Sequence, residues 1–242
     1  MKKLFLFIVF IFLISRISFS QGQEGNTILA GGPLVGYYLN CVTDLNNELV
    51  KVGFPKISTN GFLTIGGGGF IEVPSLKGLR LGGFGFGFSE NQTLSNVSTA
   101  VKNQYSVKYA YSGGGITIEY AKMLSKKFDY TIGGAIGIGY LSVNLYQHSP
   151  SASWSSSSSL WDTVSTSKQL NYSSQTYSFE PRIGIGFQAT NFLDFKLNAG
   201  YVFSIQNTWK LDDVLEVQNV PSGIKAQGLN INLSMNFGIF IK

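Results

Sequence analysis

The 242-residue chain is poor in charge, with 18 basic and 13 acidic residues, and rich in aromatic residues (14%) and glycine (29 residues). One cysteine, Cys41, excludes an internal disulfide framework; one histidine beside it cannot build a transition-metal site, and the formal charge of +5 gives no argument for nucleic acid. After the first twenty residues no apolar stretch approaches the roughly 20 that a membrane helix needs, so a mature chain that enters a membrane must do so as strands.

Lys2 and Lys3 precede an unbroken apolar run from Leu4 to Ile14, with the small residues Ser18 and Ser20 following. That is the layout of a secretory signal peptide cleaved after Ser20. Its loss removes Lys2, Lys3 and Arg16, so 15 basic residues against 13 acidic ones leave +2. Residues 21–242 are then expected to form a single domain.

Segments of period-2 alternation follow in order. Thr27–Asn40 is the first predicted strand, and Thr43–Gly53, with Leu45 and Leu49 four apart and a terminal glycine, predicts a short helix folded over the mouth of the domain. Strands are predicted next at Gly61–Val73, Leu79–Phe88, Tyr105–Met123 and Phe128–Gln147. Ser149–Leu160 is a low-complexity serine segment with Trp154 inside it and Trp161 just beyond. Gln175–Ala189, Asp194–Trp209 and Gly228–Ile241 complete eight strands, all long for a soluble sandwich.

The connections alternate in length. Pro74–Gly78, Leu124–Lys127 and Thr190–Leu193 are short, whereas Cys41–Asn60, Ser89–Gln104, His148–Ser174 and Lys210–Gln227 are long. An even strand number with short turns at one end and long loops at the other is the pattern of a bacterial outer-membrane barrel. In this layout the chain resembles the small eight-stranded outer-membrane β-barrels of the OmpA/OmpX kind. The closing segment, Leu229–Lys242, is similar to the assembly signal of such barrels, with Phe240-Ile241-Lys242 in place of a terminal aromatic residue. The resemblance implies an all-β, antiparallel, up-and-down transmembrane barrel, contact with outer-membrane lipid and with the barrel-assembly machinery, and no cofactor.

Alternation also says which face is which. Phe195, Leu197, Ala199, Tyr201, Phe203 and Ile205 alternate with Lys196, Asn198, Gly200, Val202, Ser204 and Gln206. The second set is too poor in charge and too rich in glycine to meet water, so the apolar set is expected to face lipid and the small and polar set to fill a narrow lumen. A soluble lipocalin-like carrier would need the reverse. Tyr37, Tyr38, Tyr111, Tyr120, Tyr130, Tyr140, Tyr177, Tyr201 and Trp209 are expected to form aromatic girdles. The runs IGGGGF, GGFGFGF and GGAIGIGY lack the context of phosphate loops and read as small-in, large-out wall. Parity breaks at Gly113-Gly114-Gly115, near Gly82-Gly83 and around Tyr140-Leu141, where bulges are expected.

Six charges fall on the inward set: Glu72, Arg80, Glu119, Glu180, Arg182 and Lys196. In a narrow lumen they must pair, which makes an ion-pair plug the leading expectation and a narrow channel the alternative. A lipid-modifying site would draw on His148 with Ser142 or Ser149 and Asp162, and a weak calcium site on Asp212, Asp213 and Glu216. Neither set has a fixed geometry in sequence, so no enzyme and no metal is expected. The work of such a barrel is expected either in membrane structure or in what the long outer loops contact, with any outside ligand assigned to those loops.

Overall fold

The alternating segments become eight long antiparallel strands that close on themselves. The computed structural model describes residues 28–97, 102–148 and 168–240; the predicted signal peptide, Ser149, Trp154, Trp161 and Asp162 lie outside them. β1 (Ile28–Asn40) is followed by a helix, α1 (Thr43–Lys51), then β2 (Phe62–Glu72), β3 (Leu79–Val97), β4 (Lys102–Met123), β5 (Phe128–His148), β6 (Lys168–Gln188) and β7 (Leu193–Gln206). A small hairpin, β8 (Lys210–Leu211) and β9 (Leu215–Glu216), precedes β10 (Gly228–Phe240). Each wall strand pairs with the next in sequence, β7 pairs with β10, and β10 returns to β1. Closure removes the sheet edges, the condition for strands to exist in hydrocarbon.

The apolar set of the lower wall points outward. Ile205 is 75% exposed and Ile65 66%, while Asn232 and Thr64 on the opposite parity are at 3% and 0%. Exposed Leu, Ile and Phe side chains surround the barrel on β2, β4, β5, β6, β7 and β10, which would be an aggregation surface in water and is a lipid-facing belt in a membrane. The chain is therefore a transmembrane eight-stranded β-barrel.

Four strands run far beyond that belt. β3, β4, β5 and β6 have 19, 22, 21 and 21 residues, against 13, 11, 14 and 13 for β1, β2, β7 and β10, and a membrane strand needs only about 9 to 11. The predicted loop Ser89–Gln104 is largely strand: β3 and β4 stay paired as far as Val97 opposite Lys102. Its Ser and Asn content reads as loop locally, and the continued cross-strand ladder overrides that weak propensity.

The expected bulges are not there. β3 pairs with β4 in one unbroken register from Leu79↔Tyr120 to Val97↔Lys102, and β4 with β5 from Met123↔Asp129 to Gln104↔His148. What changes is the chemistry on each face. Up to Ile116, Ile138 and Tyr140 the exposed face of β4 and β5 is apolar; above it the same face carries Ser89, Ala110, Ser142 and Ser173, then Asn91, Lys108, Asn144 and Asn171, aligned across β3 to β6. Over the same rows the inward face turns from polar to apolar, with Phe88, Tyr111, Tyr109, Val107, Leu141, Val143 and Leu145 all buried. The wall leaves lipid and enters water at this level, and the apolar side chains move inside because the solvent outside has changed.

Two further expectations are corrected in the same way. In GGFGFGF it is Phe84, Phe86 and Phe88 that point into the lumen, with Gly83, Gly85 and Gly87 on the outer parity. Tyr38 and Tyr111 are buried inside the barrel and Trp209 in the outer connection, so none of the three belongs to a girdle. Tyr37, Tyr120, Tyr140, Tyr177 and Tyr201 do lie exposed on the outer face.

Candidate functional site: a lumen filled in two layers and roofed

All six charges singled out in the sequence point inward; Glu72, Arg80, Glu119 and Lys196 lie toward the short-turn end, while Glu180 and Arg182 stand further up β6. Arg80 stands opposite Glu119 on β4 and Glu72 on β2. Its Nη2 donates to Asp129 Oδ2 at 2.7 Å, and its Nε lies 3.7 Å from Glu72 Oε2. Glu119 takes two cations, Arg182 at 2.5 Å and Lys196, although they come from strands across the barrel. Glu180 accepts from Asn230 Nδ2 at 3.2 Å and forms no ion pair within 4.0 Å among the described residues. The Phe70 ring lies under the Arg80 guanidinium, 4.8 Å from its centroid, and the Lys196 ammonium is 5.7 Å away.

Two acids of this layer were missed. Asp129 and Asp194 are buried in it, Asp194 accepting from Asn236 Nδ2 at 3.2 Å. The signal was present: Asp129 lies two residues before inward Thr131, and Asp194 two before Lys196, so parity alone would have found both.

Above the ionic layer the lumen is aromatic. Phe62 stacks on Phe88 at 4.5 Å, Tyr38 lies 5.8 Å from Phe88 and 6.3 Å from Tyr111, and Phe88 is 5.6 Å from Tyr109. The Tyr109 hydroxyl receives a hydrogen bond from Asn40 Nδ2. Phe84 joins the layers, with the Arg182 guanidinium 5.8 Å from its ring centroid. Such a stack occupies the lumen through the packing of large rigid rings.

A roof covers the stack. α1 buries Leu45 and Leu49 on one stripe, as their spacing predicts, and packs them with Ile57, Val143, Trp209 and Ile224. Asn46 clamps the following segment through Nδ2 to Ile57 O (2.9 Å) and Ile57 N to Oδ1 (2.7 Å). The helix starts without a side-chain cap and ends before Gly53, whose φ of +80° suits glycine.

The alternative chemistries gain little from this geometry. Asp212 and Asp213 tie the β8–β9 hairpin to β6: Asp212 Oδ1 accepts from Asn171 N (3.2 Å) and Asp213 Oδ1 from the Ser173 hydroxyl (2.7 Å). No group of three His, Cys, Asp or Glu suited to a metal ion is found among the described residues. Ser142 lies on the outer parity of β5, away from the lumen, and His148 ends that strand opposite Gln104.

Comparison with known proteins finds alignments at low identity. No protein-family model matches, and no curated protein matches. Among solved structures, a major outer membrane protein from Thermus thermophilus aligns with a TM-score of 0.47 and 8% identity over 88% of this chain and 99% of its own. The attachment invasion locus protein Ail of Yersinia pestis, in complex with a heparin analogue, aligns with 0.38 and 10% over 90% and 99%. CarO2 of Acinetobacter baumannii aligns with 0.32 and 9% over 89% and 100%.

Proposed function

We propose that this chain is a non-enzymatic outer-membrane barrel, exported by a signal peptide cleaved after Ser20, whose lumen is a plug and whose work is done outside the cell by the raised wall and its roof. The observation that carries the reading is the double filling of the lumen. A buried ion network occupies the short-turn half, an aromatic stack occupies the other half, and α1 lies across the top.

Each layer blocks solutes for its own reason. The ionic layer is held by the pairs Arg80–Asp129, Arg182–Glu119 and Lys196–Glu119, and prising them apart exposes buried charge at a cost of several kcal/mol. The aromatic layer blocks by bulk, since its large rings pack against one another across the lumen. Beyond the membrane, four strands rise as a sheet, polar outside and apolar inside, and the outer connections pack on it. That is a rigid platform for recognition, carried by a wall that is itself in contact with outer-membrane lipid and inserted by the barrel-assembly machinery.

Planar-bilayer recording of the purified barrel tests this. The expected trace is silent, and it stays silent in Arg80→Ala and Lys196→Ala, because the aromatic layer remains. Discrete openings in the unmodified protein would overturn the plug.

A further inference from the structure

At the solvent end of the barrel, above the membrane level, the roof and the inner face of the raised wall frame a partly open cavity of about 260 Å³. Its walls are Leu45 and Leu49 of α1, Val143 and Leu145 of β5, and Trp209 and Ile224 of the connection before β10. Each of these is less than a tenth exposed, so the surfaces are held in place by packing on the side away from the void.

The polar groups near it stay at the rim. Glu48 is engaged by Lys51 at 2.7 Å, and Gln218 and Asn219 belong to the lip, where Asn219 takes a left-handed φ of 58°. The hairpin leading to that lip is fixed to β6 by Asp212 N to Asn171 O (2.8 Å) and, through its strands, by Val217 N to Trp209 O (2.8 Å). The cavity is thus preformed and mainly apolar, and the one charged side chain in its lining, Glu48, is already paired with Lys51. An apolar cavity of about 150 Å³ holds a benzene ring, so by proportion this one holds roughly ten carbon atoms.

We propose that this cavity is a binding site for a compact, uncharged apolar group of that size, a fused aromatic pair or the end of a medium hydrocarbon chain, taken up from the outside. The site does not depend on whether the lumen conducts. Binding would lie on the solvent side of the apolar-to-polar switch in the wall, where such a molecule is otherwise unsheltered, and apolar burial supplies the driving force.

Trp209 is the natural reporter, because the chain has three tryptophans and Trp154→Phe with Trp161→Phe leaves it alone. The protein is placed in lipid nanodiscs and titrated with 1-bromonaphthalene, a ten-carbon heavy-atom quencher, read by tryptophan fluorescence. A parallel protein with Trp209→Phe and Tyr140→Trp reports simple partition into the bilayer from the lipid-facing side. The expected result is saturable quenching of Trp209, with a half-quenching concentration that rises at least tenfold when the cavity is filled by Val143→Phe. Val217→Phe, on the connection, is the second filling variant should Val143→Phe fail to show heat-modifiable mobility. Quenching of Trp209 that rises linearly, follows the Tyr140→Trp control and ignores both filling variants would overturn the proposal.

Discussion

Glu119 holds two cations that reach it from strands far apart in sequence, Arg182 on β6 and Lys196 on β7. Lys196 and the acid are buried and Arg182 nearly so, and removing the acid takes away the one ion pair within 4.0 Å that each cation makes among the described residues. Glu119→Gln is expected to destabilise the barrel by about 3–5 kcal/mol, the range for breaking a buried pair from one side. The midpoint of urea unfolding in lipid vesicles measures it. The triple variant Glu119→Leu, Arg182→Met, Lys196→Met should recover most of the loss, since replacing a whole buried charge set by apolar groups is often neutral. Glycine offers a second test at this scale. A Cβ on Gly66 would fall 2.0 Å from the Gly85 carbonyl oxygen, whereas one on Gly85 meets nothing nearer than the Gly113 oxygen at 3.6 Å. Gly66→Ala should therefore lower the yield of heat-modifiable barrel sharply, and Gly85→Ala should leave it unchanged. Six inward charges were legible from parity at this scale; who pairs with whom was not, because Glu119 meets Lys196 only through the register of strands 77 residues apart.

At the scale of the element, the four tall strands carry the main lesson. Their alternation never slips, yet the apolar side chains change faces between Tyr140 and Leu141 and again between Ile116 and Tyr111. A period-2 pattern states that two faces differ; it does not state which solvent each one meets. A single solvent along the whole strand would need bulges to restore parity. Two solvents along one strand require none. This fixes where charge is tolerated: Ile136→Arg, inside the lipid belt that runs from Phe128 to Tyr140 on β5, should cost about 2–4 kcal/mol, while Asn144→Arg, higher on the same face, should cost about nothing. Comparing unfolding midpoints of the two variants in vesicles checks the boundary. Equal losses would place Asn144 in lipid and refute the switch.

For the whole molecule, the barrel and its roof should be separable. β1 and β10 close the wall through a ladder from Ile28↔Phe240 to Asn40↔Gly228, and none of its residues lies in α1. Leu49→Asp, which puts a charge into the roof, is expected to keep the shift in gel mobility between unboiled and boiled samples. It should expose the Cys41–Asn60 connection to trypsin, at Lys51 or Lys56, in intact vesicles. Loss of the mobility shift would mean that the roof is needed for closure. This separation also explains why the cap was partly foreseeable: Leu45 and Leu49 mark a helix with one apolar stripe, and a stripe must be buried against something. The partners of that stripe, Val143 and Trp209, lie far along the chain, on β5 and in the connection after β7, and carry no local mark.

By itself the sequence determined the export signal as an expectation, the eight alternating strands, the uneven connections and the inside-out lower wall. These follow from side-chain periodicity and from turn length, both local properties of a chain. Tertiary structure alone decided the height of the β3–β6 wall, the aromatic filling of the upper lumen and the cavity under the roof. Each of those depends on register across strands and on the solvent at a given height, and neither quantity is written in a neighbouring residue.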